Sequence, residues 1–438
     1  MSAIARYYNF AGYRVSGYDK TPSPLTQSLQ DEGISIHYSD SPDLIPTDIE
    51  NTLVIYTPAI PHDLNELQYV KKTGYRVIKR SRALGEIASG QSCLAVAGTH
   101  GKTTTSTILA HIFQNSGEGC NAFLGGISKN YNTNLLLSKN RVLVAEADEF
   151  DRSFLQLFPD TSIITSVDAD HLDIYGKIEE LHESFKLFAA QTKRCLIIKD
   201  SIDLDFGNVT QAHIYRYSYD RKCDFYASDI ELKEGGYFNF TLNFPDGAIA
   251  DCTLGIPGWI NIENAIAASA SAYLNGISPD KIREALANFS GVRRRFDIHV
   301  NSPVCAYIDD YAHHPEEIRA AIGSIRNIFP HRKLCGVFQP HLYSRTKDFY
   351  IEFAQALSLL DELILLDIYP AREEPIEGVS SQMIFDLVTI KAKTLIEKNE
   401  LIDELQRHEI DSLATFGAGD IDRLVPKISE YIKRRYNV

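Results

Sequence analysis

Short apolar runs bounded by polar residues recur along the whole chain. They include Tyr13–Tyr18, Leu53–Tyr56, Cys93–Ala97, Arg141–Ala145, Ser162–Val167, Cys195–Ile198, Ala306–Ile308, Leu334–Phe338, Leu363–Asp367 and Ser412–Phe416. Runs such as LVIY and ELILL are apolar at successive positions, as in strands buried on both faces of a parallel sheet. Between them lie stretches of helical length and spacing, among them Lys102–Asn115, Ile178–Ala190 and Pro315–Ile328. Strands alternating with helices predict an α/β fold. One stretch breaks the alternation. From Cys223 to Pro257 the pattern is short strands with turns at Glu234-Gly235-Gly236 and Pro245-Asp246-Gly247, which predicts an antiparallel meander. Boundaries near Gly90 and Gly291 divide the 438 residues into 1–90, 91–292 and 293–438. Three domains suit this length at roughly 100–200 residues each.

Composition narrows the class. The chain is 44% hydrophobic and 23% charged, as a folded protein is. No apolar run reaches the roughly 18–20 residues of a membrane span. The first residues, MSAIARYYNF, lack the apolar stretch and cleavage site of a signal peptide. With 44 Lys and Arg against 58 Asp and Glu, the formal net charge is −14. Such a chain repels a nucleic-acid backbone but can hold a small phosphorylated ligand locally. Seven cysteines, odd in number, widely spaced and without C-x-x-C, indicate a reducing compartment and ordinary thiols. A cytoplasmic enzyme is expected.

The most specific signal is Cys93-Leu-Ala-Val-Ala-Gly98-Thr99-His100-Gly101-Lys102-Thr103-Thr104-Thr105. An apolar strand, a glycine-rich turn and a helix follow in that order. Glycines let backbone N–H groups reach phosphate oxygens, and the helix N-terminus adds its positive end. Lys102 is placed for the β/γ-phosphates and the Thr103 hydroxyl for Mg²⁺. A strict Walker A loop has Gly six residues before the Lys; here Val96 stands there, so this is a shorter G-x-x-G-K-T variant. The bland alternative is a surface turn that happens to contain GKT. Downstream, RVLVAEADEFD places Glu146, Asp148, Glu149 and Asp151 at the carboxyl end of a strand, where open α/β sheets bind ligands. TSIITSVDAD leads to Asp170, His171 and Asp173. Hard Mg²⁺ prefers oxygen ligands. Alone, the acids read equally as a charged strand end and His171 as a solvated loop residue.

Taken together, GTHGKTTT, EADEFD and DADHLD resemble the Mur ligase family of ATP-dependent amide ligases. Further matches follow in order: PGWINIENAIAA (257–268), RRRFD (293–297), IDDYAHHP (308–315), FQPHLYSRTKDF (338–349), DIYPAREEP (367–375) and TFGAGDID (415–422). The resemblance spans nearly the whole chain. The last four motifs look like the branch that adds L-alanine to UDP-N-acetylmuramate. The resemblance implies a Rossmann-like first domain, a central P-loop-type ATP-binding domain and a Rossmann-like third domain. It implies a cradle for ATP at Gly98, Thr99, His100, Gly101, Lys102, Thr103 and Thr104. Thr103, Glu146 and His171 would serve Mg²⁺, with Lys102, Glu146 and His171 as the catalytic set. Asn261 and Asn264 would face adenine. Arg295 and Asp310 would reach ATP from the third domain, Asp310 through the ribose. His313, His341 and Arg345 would meet the incoming amino acid, Arg345 as partner of its carboxylate. Asp19, ending the strand Tyr13–Tyr18, would meet the sugar or base of the uridine nucleotide. Without the resemblance, Arg293–Arg295 reads as a solvated basic linker and His313-His314 as a capped helix start before Pro315.

The chain departs from the family pattern in places. Ile260 stands where a His is common, and Leu342 where an Arg is frequent. The carbamylated Lys of some members has no counterpart: Phe185 takes its place, with Lys186 one residue off, as in the alanine-adding branch. The alanine-adding members begin with a strand and a G-x-G-G-x-G turn before a Met-Ser that opens the first helix; this chain begins at that Met-Ser. Met1–Asn9 is then expected to be a helix and Tyr13–Tyr18 the fold's second strand. The expectation is an internal Met with the start upstream, the alternative a short form with impaired uridine-nucleotide binding.

The implied reaction activates the carboxylate of UDP-N-acetylmuramate as an acyl phosphate, which the amine of L-alanine then attacks. Three rivals remain at this point. They are a ligase that recycles a tripeptide onto the same nucleotide, a nucleotide-binding protein without catalysis, and a plain P-loop ATPase or kinase. The third-domain motifs count against the last two.

Overall fold

The computed structural model describes all residues except 59, 62, 170, 171 and 372, and the side chains of the rest except 172 and 173. The apolar runs form strands and the periodic stretches form helices. Helices span Lys102–Asn115, Ile178–Ala190 and Pro315–Ile328, bounded as their spacing indicates. The chain divides into two compact units, residues 1–228, 241–252 and 263–288, and residues 229–240, 253–262 and 289–438.

The first unit carries residues of all ten strands of a large sheet. Their order is Gly247–Thr253, Phe238–Phe244, Phe225–Leu232, His213–Ser218, Cys195–Lys199, Thr161–Ile164, Ser92–Ala97, Val142–Glu146, Asn121–Ser128 and Thr133–Leu136. Ser92–Ala97 pairs in parallel with Thr161–Ile164 on one side and Val142–Glu146 on the other. The carboxyl ends of these three strands therefore share one edge. Successive apolar positions are needed because both faces are covered: Leu94 to Ala97 are at most 1% exposed. The helix Lys102–Asn115 is buried from Thr103 to Phe113, as a helix packed on all sides must be. Phe154 stacks on Phe188 at 5.0 Å and meets Phe185 edge-on at 5.3 Å. Phe185 thus fills the core, while Lys186 points outward to Glu183 at 2.7 Å. The expected meander is present. Phe238–Phe244 and Gly247–Thr253 are neighbours joined by two residues, which leaves the chain room only to reverse.

Residues 1–90 open with a helix, Ser2–Phe10, followed by two separate parallel strand pairs and the helices Pro24–Asp31, Asn65–Lys72 and Arg80–Ala88. Ser16–Tyr18 pairs with Ser35–His37, and Leu53–Tyr56 with Arg76–Lys79. Among the described residues no strand joins the two pairs. All four side chains of Leu53–Tyr56 are only half-buried. The first helix is held instead by its own face, with Ile4 buried and Tyr7 5.7 Å from Phe123.

The second unit holds a six-stranded sheet ordered Asp297–Asn301, Ala306–Asp310, Ser412–Phe416, Leu334–Phe338, Glu362–Leu366 and Lys393–Ile396. The first pair is antiparallel and the others are parallel. Apolar clusters cover both faces, one with Phe338, Leu363 and Leu365, the other with Val337, Ile364 and Leu366. Among the described residues no helix is long and apolar enough to cross a membrane.

An open strand edge leaves its amides to solvent. The amides of Ser16–Tyr18 and Leu53–Tyr56 are therefore expected to exchange with deuterium much faster than those of Ser92–Ala97. Equal protection in a hydrogen-exchange experiment would contradict the split arrangement.

Candidate nucleotide-binding site

The strand Ser92–Ala97 runs into Gly98, whose φ is 137°. A Cβ there would collide with Thr165 and lie 2.8 Å from the Ser166 nitrogen. Gly101, at φ 82°, closes the turn, and a Cβ there would lie 2.8 Å from Asn264 Oδ1. Only glycine suits either position, and the bare backbone forms a cradle at the start of the helix Lys102–Asn115. Residues just past the strand Thr161–Ile164 brace the loop. Thr165 Oγ1 donates to Ala97 O at 3.1 Å and also bonds His100 O. Ser166 Oγ accepts from His100 N at 2.8 Å and lies 2.9 Å from Thr99 Oγ1. Thr99 Oγ1 accepts from Asp168 N at 3.1 Å. Sequence reading overlooked Thr165 and Ser166, because attention in TSVDAD falls on the acids.

Lys102 Nζ donates to Gly98 O at 2.6 Å and to Glu149 Oε1 at 2.8 Å. The Glu149 side chain is fully buried. Burial acts to lower the Lys102 pKa, but the nearby carboxylates of Glu149, Asp148 and Glu146 outweigh it, and the net shift is upward. The amine is therefore a fixed cation. Glu149 is held in turn by Tyr175, whose hydroxyl donates to Glu149 O at 2.6 Å. Of the four acids in this segment, Asp148 and Asp151 turn outward to Arg80 at 3.3 Å and Lys79 at 2.6 Å.

Glu146 ends the neighbouring strand, in register with Val96. Its carboxylate accepts from Gly125 N at 3.1 Å and fills the space a Cβ at Gly125 would take. Thr103 and Thr104, in the helix's first turn, are nearly buried. His171 lies outside the described residues. The glycine cradle, the helix N-terminus and Lys102 fit a nucleotide phosphate. The Thr103 hydroxyl and the Glu146 carboxylate are hard oxygen donors of the kind Mg²⁺ takes. Asn264 sits beside the loop, its Oδ1 accepting from Thr105 Oγ1 at 3.2 Å. In the same unit Asp19 follows its strand, accepting from Thr21 N at 3.1 Å.

In the second unit Asn261 is buried and donates to Pro257 O at 2.6 Å. Ile260, in place of the common His, is 41% exposed. Asp310 accepts from Phe296 N at 2.9 Å and Ala312 N at 2.8 Å. Burial pushes its carboxyl up to about 7, against the pull of Arg295 and those two donors. The Arg295 guanidinium lies over the Tyr311 ring at 4.8 Å. Arg294 was not singled out in the sequence, yet it pairs with buried Asp309 at 3.1 Å and donates to Gly417 O at 2.6 Å. It is a structural tie, not part of a solvated linker.

His313 and His341 come together, ring centres 6.1 Å apart, and His341 stacks on Tyr369 at 5.9 Å. Tyr369, within DIYPAREEP, was missed as an individual residue. His314 caps the helix Pro315–Ile328, and the backbone amides of His313 and His314 donate to Glu317 Oε2 at 2.9 and 3.2 Å. The capping reading of this pair therefore holds for His314. Arg345 lies in the first turn of the helix Tyr343–Leu357. Leu342, in place of the frequent Arg, precedes that helix at φ 71° with its amide on Tyr369 O at 3.0 Å.

Two outcomes follow from this geometry. Gly98→Ala is expected to cost about 1–3 kcal/mol through strain and collision and to weaken ATP binding; an unchanged melting temperature would contradict the strained cradle. For Asp310, a folded-state pKa of about 7 against 3.8 means the folded chain binds its proton more tightly than the unfolded chain. Its contribution to stability is expected to fall as pH rises from 3.8 to about 7 and then level off. Urea midpoints of the wild type and Asp310→Asn across that range test this, and a pH-independent difference would contradict it.

Comparison with known proteins bears on what this site serves. Family models match consecutive segments: Mur ligase family, catalytic domain, over residues 1–92; Mur ligase middle domain over 96–272; and Mur ligase, glutamate ligase domain, over 294–420. The UDP-N-acetylmuramate–L-alanine ligase of Porphyromonas gingivalis is 50% identical over 99% of this chain and 96% of its own length. That of Parabacteroides distasonis is 50% identical over 99% and 95%. Among solved structures, the UDP-N-acetylmuramate–alanine ligase of Thermotoga maritima superposes with a TM-score of 0.83, at 26% identity over 100% of this chain and 96% of that one. A murein peptide ligase from Psychrobacter arcticus shares the fold, with a TM-score of 0.73 at 21% identity, over 98% of this chain and 96% of that one. The chain belongs to the Mur ligase family.

Proposed function

We propose that the chain is an ATP-dependent amide ligase that joins L-alanine to the carboxylate of UDP-N-acetylmuramate, a cytoplasmic step of peptidoglycan precursor synthesis. The observation that carries this reading is the 50% identity, along 99% of the chain, with ligases of that name. The physical arrangement accords with it. The reaction brings an anionic carboxylate to an anionic phosphate, so positive charge must be in place first. Lys102 supplies a cation that Glu149 keeps charged at a buried point. On binding, its Nζ exchanges the Gly98 carbonyl for a phosphate oxygen while retaining Glu149. The glycine turn Gly98–Gly101 and the amides of Lys102, Thr103 and Thr104 orient the phosphates. Thr103, Glu146 and His171 would hold Mg²⁺, which would supply further positive charge.

The remaining residues take the roles the family resemblance implies. Asn261 and Asn264 serve adenine, and Arg295 and Asp310 serve ATP, Asp310 through the ribose. His313, His341 and Arg345 receive L-alanine, the guanidinium taking its carboxylate. Asp19 meets the uridine nucleotide.

The direct test is phosphate release by the chain with ATP, Mg²⁺ and UDP-N-acetylmuramate, with and without L-alanine. Release that needs both acceptor and amino acid is the expected result; release without either would indicate a plain ATPase. Lys102→Ala is expected to abolish turnover and to lower the melting temperature, while its circular dichroism spectrum well below that temperature remains that of the folded chain. More than a small residual activity would refute its role.

A further inference from the structure

The second unit holds a cluster of ligand-type side chains away from the strand ends that carry His313 and His341. Cys335 is the second residue of the strand Leu334–Phe338, and Glu362 opens Glu362–Leu366. The two strands are parallel, with Cys335 opposite Glu362. Period-two alternation puts both side chains on the face that also carries Val337, Ile364 and Leu366. The helix Leu401–Leu405 covers that face through Leu401 and Leu405. Just past its end, His408 reaches back over the strands. His408 Nδ1 lies 2.8 Å from Glu362 Oε2, and Nε2 lies 3.2 Å from Glu404 Oε1. Cys335 is 3% exposed, and ligating atoms of Cys335, Glu362 and His408 lie within 4.8 Å of one another.

We propose that Cys335, Glu362 and His408 form a binding site for a divalent transition-metal ion of the zinc type. A thiolate, an imidazole and one carboxylate are the donors such an ion takes, with a tetrahedral fourth place for water. The thiol excludes Mg²⁺ and Ca²⁺ as preferred occupants. Bond lengths of about 2.0–2.3 Å place tetrahedral ligand atoms about 3.3–3.8 Å apart, so the widest pair must close by about 1 Å while Nδ1 and the Glu362 oxygen part slightly. Glu404 completes the arrangement. A ligating His usually donates its other ring N–H to a carboxylate, which fixes the ring, and Glu404 already stands at Nε2. Arg407 at 2.8 Å anchors Glu404 in turn.

Proton balance follows from the same contacts. Burial, reinforced by Glu362 and Glu404, pushes the Cys335 thiol up to about 12, so the metal-free site keeps its S–H. Binding expels that proton to solvent and forms the metal–sulfur bond in its place, while Nδ1 binds through its lone pair. The site sits at the amino ends of the strands, whereas His313 and His341 follow carboxyl ends. The ion is therefore expected to raise stability rather than take part in turnover.

Cobalt(II) is a suitable spectroscopic probe. Titrating the full chain at neutral pH is expected to give a thiolate-to-cobalt charge-transfer band that saturates at about one equivalent. The band should vanish in Cys335→Ser, and in His408→Gln affinity should fall at least about tenfold. Circular dichroism confirms that both variants are folded. Absence of the band in the wild type, or its survival in Cys335→Ser through one of the other six cysteines, would overturn the proposal.

Discussion

The nucleotide site depends on one buried ion pair, Lys102 with Glu149. A fully buried carboxylate is tolerable only with a partner, and an ammonium at that depth equally so. Each makes the other affordable. The pair also joins two segments: the phosphate loop after the strand Ser92–Ala97 and the acidic turn after Val142–Glu146. Because those strands are adjacent and parallel, their carboxyl ends arrive at the same place, and Lys102 needs only to bridge them. Removing either charge leaves the other buried and unpaired, at a cost of about 3–5 kcal/mol. The same pair keeps the amine cationic, which is the state phosphate binding requires.

Around this pair the loop is held by small polar residues rather than by apolar packing. Thr165 and Ser166 bond the loop's carbonyls and amides from the neighbouring strand end. Gly125 lets Glu146 lie flat against its backbone. The second unit uses a different tie. Arg294 joins the buried Asp309 carboxylate to the Gly417 carbonyl and so links the entry to the sheet with the strand end beside it. The His341–Tyr369 stack then sets the start of the helix that carries Arg345.

Much of this was readable in the sequence where local chemistry decides the outcome. Apolar runs buried on both faces mark strands, and GTHGKTTT marks the loop because glycine is obligatory at Gly98 and Gly101. The three helix boundaries that matched are set by local signals such as Pro315 behind the His314 cap. What escaped reading depends on distant partners. Nothing near Thr165 or Ser166 announces a loop lying more than sixty residues earlier in the chain. The four acids of EADEFD look alike in sequence, and only packing buries Glu149 while Asp148 and Asp151 turn outward. Arg294 is one of three consecutive arginines, and its partners are contributed by two strands far apart in the chain.

Activation of a carboxylate by phosphoryl transfer is the chemistry proposed for this site. It is tested most directly by labelling the carboxylate of UDP-N-acetylmuramate with a heavy oxygen isotope and following the label through one turnover with ATP and L-alanine. The carboxylate oxygen that attacks the γ-phosphate leaves with it when the amine displaces the acyl phosphate. Labelled inorganic phosphate and an amide that retains the other oxygen are the expected products. Label found in AMP, or absent from every phosphate while the amide forms, would contradict this chemistry.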